Sequence, residues 1–162
     1  MNDAVAAYLE RLGLTDTLRT RVNELIDTYE AVLGLRLEDV FVSEYTSDEA
    51  GRVFESVWAF TDELVMEAKI PDMDGDQFDF VPLRHSVRHW VVRKKDYQFN
   101  AADASSRLSM EVWLADNRVG NLRASWENCD HLYDLGLRRV LPNVASLASE
   151  ANPEMAEATS RA

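Results

Sequence analysis

A run of acidic residues has the chemistry of a calcium-binding loop, because aspartates alternate at Asp72, Asp74 and Asp76. Calcium takes roughly six to eight oxygen ligands, and an EF-hand loop also needs glycine at its sixth position and glutamate at its twelfth. Counted from Asp72, those two positions hold Gln77 and Leu83. The run therefore predicts a solvated turn between strands, and we expect no metal site in it.

The spacing of the histidines and the cysteine does not favour a site either. His85 and His89 are four residues apart, which on a strand separates them by on the order of 13 Å. Cys129 and His131 are two apart in a predicted helix, where neighbouring side chains diverge. Cys129 occupies an apolar position of that helix, which predicts a buried and inert thiol. We expect no metal, no cofactor and no catalytic residue here.

One basic stretch stands out in an acidic chain. Residues 84–95 contain no acid, and their cations include Arg84, Arg88, Arg93 and Lys94. No nucleophile elbow, phosphate-binding loop or dinucleotide-binding glycine motif occurs in the sequence. The four cations predict an alternative function, which is binding of a small anionic or phosphoryl-containing ligand. Neutralisation of the stretch by acidic residues of the N-terminal helices is the competing interpretation.

Two tryptophans lie on otherwise polar strand faces. Arg88 and Trp90 share the parity of one predicted strand, and Glu111 and Trp113 share the parity of another. If these strands pair, we expect all four residues to lie on one face. Aromatic residues and arginine are enriched at protein interfaces, so this face predicts a surface that binds a protein partner. The alternative is that an N-terminal helix covers it.

The composition limits the classes of function. The chain has 162 residues and a net charge of −12, which disfavours general binding to nucleic acid or anionic lipid. It contains neither an apolar run of roughly 18 residues nor a basic N-terminal signal, and one cysteine allows no internal disulfide. We expect a cytoplasmic protein without a membrane span, and the excess of arginine over lysine is typical of GC-rich bacterial coding.

The elements that must position these residues begin with helices. One amphipathic helix starts near Thr15 and ends before Gly34, a residue suited to terminate a helix. A shorter apolar stripe at helical spacing covers residues 5–12. We therefore expect residues 1–36 to form an N-terminal helical segment packed on a sheet.

Alternating apolar and polar residues predict about seven short antiparallel strands in the middle of the chain. In the second of these strands, parity predicts that Phe54 shares a face with Trp58 and Phe60. A closing amphipathic helix at 126–141 ends at Pro142. The predicted strands cover residues 40–45, 52–60, 64–70, 78–83, 86–95, 108–114 and 119–124, and the apolar face of the helix is expected to contain Cys129, Leu132, Tyr133, Leu137, Val140 and Leu141.

This order of elements resembles the pleckstrin-homology-like barrel, a bent antiparallel sheet capped by a C-terminal helix. The resemblance covers roughly residues 38–142 and implies an α+β fold with a partly open barrel. The alternative is the α/β sandwich of small secretion chaperones, which needs a helix where the valine-rich run 86–93 favours a strand. Residues 143–162, rich in Ala, Ser and Glu, are expected to form a partly disordered tail. The expected function is that of a non-enzymatic interaction or adaptor module.

Overall fold

A computed structural model describes residues 2–47, 49–71, 78–82, 89–95, 107–113, 119–124 and 128–142. The described elements follow the predicted order of helices, strands and a closing helix. They are α1 (Asp3–Arg11), α2 (Asp16–Leu33), β1 (Asp39–Ser47), β2 (Gly51–Phe60), β3 (Leu64–Lys69), β4 (Phe78–Pro82), β5 (His89–Lys95), β6 (Arg107–Trp113), β7 (Val119–Ala124) and α3 (Cys129–Leu135), which continues as a π-helical turn (Gly136–Val140).

The N-terminal helices begin and end where the sequence predicts. The side chain of Asn2 accepts a hydrogen bond from the Val5 amide at the start of α1, and Thr15 does the same for Leu18 at the start of α2. These side chains satisfy amide groups that have no partner within the helix. Gly34 ends α2 with a positive φ of 67°, a conformation that glycine adopts without a Cβ penalty.

The strands form two antiparallel sheets, β1-β2-β3-β4 and β5-β6-β7. The α+β prediction is confirmed, and the four-stranded sheet is open. We expected either a bent sheet or a partly open barrel, and the described strands form two sheets rather than one. The sheets meet along β1 and β7. There, Ser43 Oγ accepts from the Arg123 amide at 3.0 Å and donates to the Asn121 carbonyl at 3.4 Å. A serine side chain thus takes the place of a backbone ladder between the two sheets.

Strand parity divides the interior into two cores, one on each face of the first sheet. Val42, Val57 and Met66 face the N-terminal helices and join a core with Leu25 and Ile26 of α2. The intervening positions point to the opposite face, where they pack with β7 and α3. This second core contains Phe41, Trp58, Phe60, Val65, Leu122, Ala124, Leu132, Leu135 and Val140. The first sheet is therefore a middle layer that is buried on both faces.

A β-bulge moves Phe54 away from its predicted face. Ser43 pairs with Ser56 and Glu44 pairs with Phe54, which leaves Glu55 as an extra residue in β2. An extra residue inverts the alternation of side chains beyond it. Phe54 therefore belongs to the N-terminal core, while Trp58 and Phe60 belong to the other, and the prediction that they share a face is wrong.

The described part of the chain contains neither a candidate membrane-spanning helix nor a candidate metal-binding group. None of its helices is long and apolar enough to cross a membrane. Within the same residues, no group of three or more His, Cys, Asp or Glu could hold a metal ion. The predicted calcium-like segment lies mostly outside the described residues, as do His85 and the tail 143–162.

Candidate functional site

The register of the second sheet separates the two tryptophans of the predicted interface. Trp90 pairs with Val112, whereas Trp113 pairs with His89. Residues directly opposite each other in an antiparallel ladder share a face, and adjacent residues alternate. Trp90 and Trp113 therefore occupy positions on opposite faces, and the prediction that they lie on one face is wrong.

The two positions have different surroundings in the ladder. The row of Trp90 and Val112 continues to Gly120, which is buried against Trp58. The row of Glu111 continues to Asn121, which is exposed. Glu111 and Trp113 thus occupy the parity of the exposed residues of β7, and Trp90 occupies the parity of the core. Arg88 lies outside the described residues.

The predicted anion-binding residues are not gathered on one face either. Arg93 and Lys94 are consecutive in β5 and pair with Ser109 and Leu108, so they occupy opposite faces of the strand. Arg84 and Arg88 fall outside the described ranges. Cys129 is partly buried and its Sγ contacts the Ala124 carbonyl at 3.7 Å, which agrees with a structural thiol.

The structure instead forms a cleft where α1, the start of β1 and α3 meet. Its volume is about 520 Å³, which is in the range of small-molecule sites. Charged residues of both signs line it, together with one histidine and one tyrosine. The lining residues include Tyr8, Arg11, Glu38, Asp39, His131, Asp134 and Arg138.

The floor of this cleft holds a buried aspartate between two consecutive arginines. Asp39 is only 6% exposed; Arg138 Nη2 donates to its Oδ1 at 2.7 Å, and Arg139 Nε donates to its Oδ2. Successive residues of a regular α-helix diverge, but Arg138 and Arg139 lie in the π-helical turn, and both reach one carboxylate. Arg139 also pairs with Asp62 and with Glu38, so the turn is tied to β1 and to the β2–β3 connection.

These arginines determine the ionisation of Asp39. Burial alone would raise the pKa of this carboxyl, but hydrogen bonds from Arg139 and Arg138 outweigh burial and hold the pKa below its ordinary value. Asp39 is therefore a charged structural anchor at neutral pH. Its oxygens are occupied by guanidinium groups, which makes it a poor general base.

His131 is enclosed beside the same cleft. Its ring stacks on Tyr8, with centroids 3.8 Å apart, and lies parallel to Phe41 at 6.3 Å. Nε2 lies 2.8 Å from the Val40 carbonyl, and because a carbonyl only accepts, this nitrogen carries the proton. Burial is the largest cause that lowers the pKa of His131, so the ring is neutral at pH 7.

Tyr8 and Asn128 form hydrogen bonds with each other and with the backbone of β1. The Tyr8 hydroxyl accepts from the Val42 amide at 2.9 Å and donates to Asn128 Oδ1 at 2.9 Å. Asn128 Nδ2 donates to the Val42 carbonyl at 2.8 Å. Burial raises the pKa of the Tyr8 hydroxyl, which keeps it a donor. The side chains of Tyr8, from α1, and Asn128, just before α3, thus satisfy the backbone N–H and C=O of Val42.

The outer surface of α3 carries a second feature, an exposed apolar stripe. Tyr133, Leu137 and Leu141 are four residues apart, which aligns them along one face. Their exposed fractions are 50%, 40% and 43%. We expected these residues on the buried face of the helix together with Leu132 and Val140, and that prediction is wrong for the three stripe residues.

The sequence indicates the apolar stripe of α3 but not the contacts that form the cleft. The apolar residues of the last helix fall into two adjacent stripes rather than one, and a single buried face cannot hold both. The pairing of Asp39 with Arg138 and Arg139 left no local signal, because it joins residues about a hundred positions apart. The same is true of Tyr8 and Asn128.

Comparisons with known proteins add no relative to this description. No family model, no curated protein and no solved structure matches the chain.

Proposed function

We propose that the protein is a non-enzymatic interaction module that binds a partner protein through the stripe of Tyr133, Leu137 and Leu141. Three apolar side chains of this size, each at least 40% exposed, form a contiguous apolar surface on one helix. Contiguous exposed apolar patches are characteristic of protein interaction sites. The exposure of this stripe is the observation that carries the proposal.

The opposite face of α3 makes the stripe a rigid platform. Leu132, Leu135 and Val140 are fully buried in the second core, and Arg138 and Arg139 clamp the π-helical turn to Asp39. A surface that is already ordered loses little conformational entropy when a partner binds. We therefore expect the partner to dock on a preformed surface, without a folding step in α3.

Charge indicates the chemistry of the partner. Asp130 and Asp134 are exposed on the same helix, as is Arg138 in its π-helical turn, but the whole chain carries a net charge of −12. A second copy of the chain would bring like charges together, whereas a basic partner gains attraction and a faster encounter. The proposed occupant is therefore an amphipathic segment of another protein, with apolar residues flanked by lysine or arginine.

Two further observations support the proposal. Two antiparallel sheets joined along β1 and β7, with a helix at the C-terminal end, support a pleckstrin-homology-like architecture and, with it, a cytoplasmic adaptor role. Glu111 and Trp113 share the parity of exposed Asn121 in the ladder. They are a second candidate surface for the same class of partner.

Site-specific photocrosslinking in the source cells tests the proposal. A photoreactive residue replaces Leu137 in one variant and Val32 in a control, because Val32 is 64% exposed and lies on α2. We expect a discrete adduct at position 137 alone. The crosslinked segment of the partner should be apolar with basic flanks, and its yield should fall when salt is raised from about 0.05 M to about 0.5 M.

A double variant of the stripe tests whether the adduct at Leu137 depends on the neighbouring apolar side chains. Tyr133→Ser with Leu141→Ser should abolish the adduct at Leu137, while the free energy of unfolding changes by less than about 1 kcal/mol because both side chains are exposed. Equal adducts at positions 32 and 137, or no adduct at either, would contradict the proposal. An adduct of twice the protomer mass would assign the stripe to a second copy and exclude a basic partner.

A further inference from the structure

An arginine of the cleft beside α3 has no hydrogen-bond or ion-pair partner among the described residues. Arg11 lies in the last turn of α1, is exposed and lines the cleft. Within the described residues, no hydrogen bond or ion pair engages its side chain. An exposed arginine that lines a cavity and has no ion-pair partner among the described residues is available to a ligand.

Arg138 adds a second guanidinium to the lining of this cleft. One of its nitrogens donates to Asp39, and its side chain remains 52% exposed. A guanidinium has five N–H donors in a planar fork, so donors remain beyond the one that Asp39 takes. The contact with Asp39 also holds the guanidinium in place, which lowers the entropic cost of binding.

Arg11, Arg138 and His131 all line the same cleft. After burial, which is the largest cause, the positive charges of Arg138 and Arg11 each lower the pKa of this ring, while the Val40 carbonyl and Asp39 raise it. Both cations therefore act on one point, although they come from opposite ends of the chain. Asp134, three residues after His131, and Glu38 line the same cleft, and both carboxylates weaken the positive potential there.

We propose that this cleft binds a small molecule through a carboxylate or phosphate group, which Arg11 and Arg138 hold between them. Guanidinium groups bind both kinds of oxyanion in bidentate geometry, and these charge-assisted hydrogen bonds are stronger than neutral ones. Tyr8 and Val5 provide an apolar wall for the remainder of the ligand. The site is separate from the apolar stripe and does not depend on the proposed partner.

Titration at constant ionic strength tests the site, with inorganic phosphate and succinate as the two probes. The readout is the ring proton resonance of His131, assigned by its loss in His131→Gln. We expect a saturable shift with at least one probe, and the probe that saturates identifies phosphate or carboxylate as the preferred group. A shift that rises linearly with both probes would overturn the proposal.

Three variants separate a specific site from general attraction of anions. Arg11→Ala should weaken binding by about tenfold, the effect of losing one charge-assisted contact. Arg36→Ala removes the same charge from an exposed position outside the cleft and should change affinity by less than about twofold. Asp134→Asn should tighten binding, because it removes one of the carboxylates that line the cleft. Equal effects of the two arginine substitutions would contradict the proposal.

Discussion

Gly120 of β7 lies directly against the indole of Trp58 on β2. A Cβ at position 120 would overlap Cη2 and would lie 3.2 Å from Cζ2 and Cζ3. Trp58 is fully buried, and its Nε1 donates to Ser56 Oγ at 2.9 Å, so the ring cannot move aside without losing that bond. The absence of a side chain at Gly120 therefore lets the two sheets approach each other at this point.

Gly120→Ala should destabilise the fold by about 1–3 kcal/mol, the typical effect of overpacking a core. The measurement is the free energy of unfolding from denaturant titration. Trp58→Phe removes the atoms that clash, so the double variant should be more stable than the sum of the two single effects predicts. Asn121→Ala, at the next and exposed position, is the control. Additive effects would show that the two residues do not touch.

Tyr8→Phe should cost about 1–3 kcal/mol, because it leaves the Val42 amide and Asn128 Oδ1 buried without a partner. Tyr133→Phe removes the same hydroxyl from a side chain that is 50% exposed and should change stability by less than about 0.5 kcal/mol. Both are measured by denaturant unfolding. Equal costs for the two substitutions would contradict the hydrogen-bond network at the edge of β1.

Stability should fall as the pH drops below about 6.5, the ordinary pKa of histidine. Burial lowers the pKa of His131 in the folded protein, so the unfolded chain takes up a proton that the folded ring resists. Linkage makes unfolding easier as pH falls from the unfolded pKa towards the folded one. His131→Gln should flatten this dependence between about pH 7.5 and about pH 5.5, while the slopes of both proteins coincide above pH 7.5. An unchanged slope would contradict burial of a neutral ring.

The ionised form of Asp39 should add a second decrease in stability at lower pH. Its pKa is held below the ordinary value by Arg139 and Arg138 against the effect of burial, so its contribution is complete above about pH 3.9 and disappears as pH falls through the folded pKa. Asp39→Asn should reduce the free energy of unfolding at pH 7 and weaken the dependence below about pH 4. A dependence identical to wild type in that range would contradict the clamp.

Trp90→Ala and Trp113→Ala should now have different effects. The position of Trp90 lies in the ladder row of buried Gly120, and that of Trp113 lies in the row of Val119, on the parity of exposed Asn121 and Arg123. We expect Trp90→Ala to cost about 3–5 kcal/mol in stability and Trp113→Ala to cost less than about 1 kcal/mol. The readout is the denaturant midpoint of each variant. The reverse order would contradict the register of β5 and β6.

The sequence predicted the helices and strands because capping residues and apolar alternation act over a few neighbouring residues. Thr15 and Gly34 mark the ends of α2, since a capping hydroxyl and a left-handed glycine act within one turn of the chain. Alternation likewise predicted the strands from β1 to β7 to within a few residues. What the pattern did not contain was the bulge at Glu55, because one extra residue inverts parity without changing the composition of the strand.

The residues that form the candidate sites could be identified only from the tertiary structure. Asp39, Arg138 and Arg139 come together only when α3 packs beside the start of β1, and Tyr8 reaches Asn128 across 120 positions. Whether an apolar residue is core or surface was also decided there: Leu132 and Tyr133 are adjacent and both apolar in pattern, yet only one faces the sheet. Periodicity identifies a helix and its apolar residues, but the width of the face that a neighbouring sheet can cover depends on how the layers pack. That packing is a property of the whole chain.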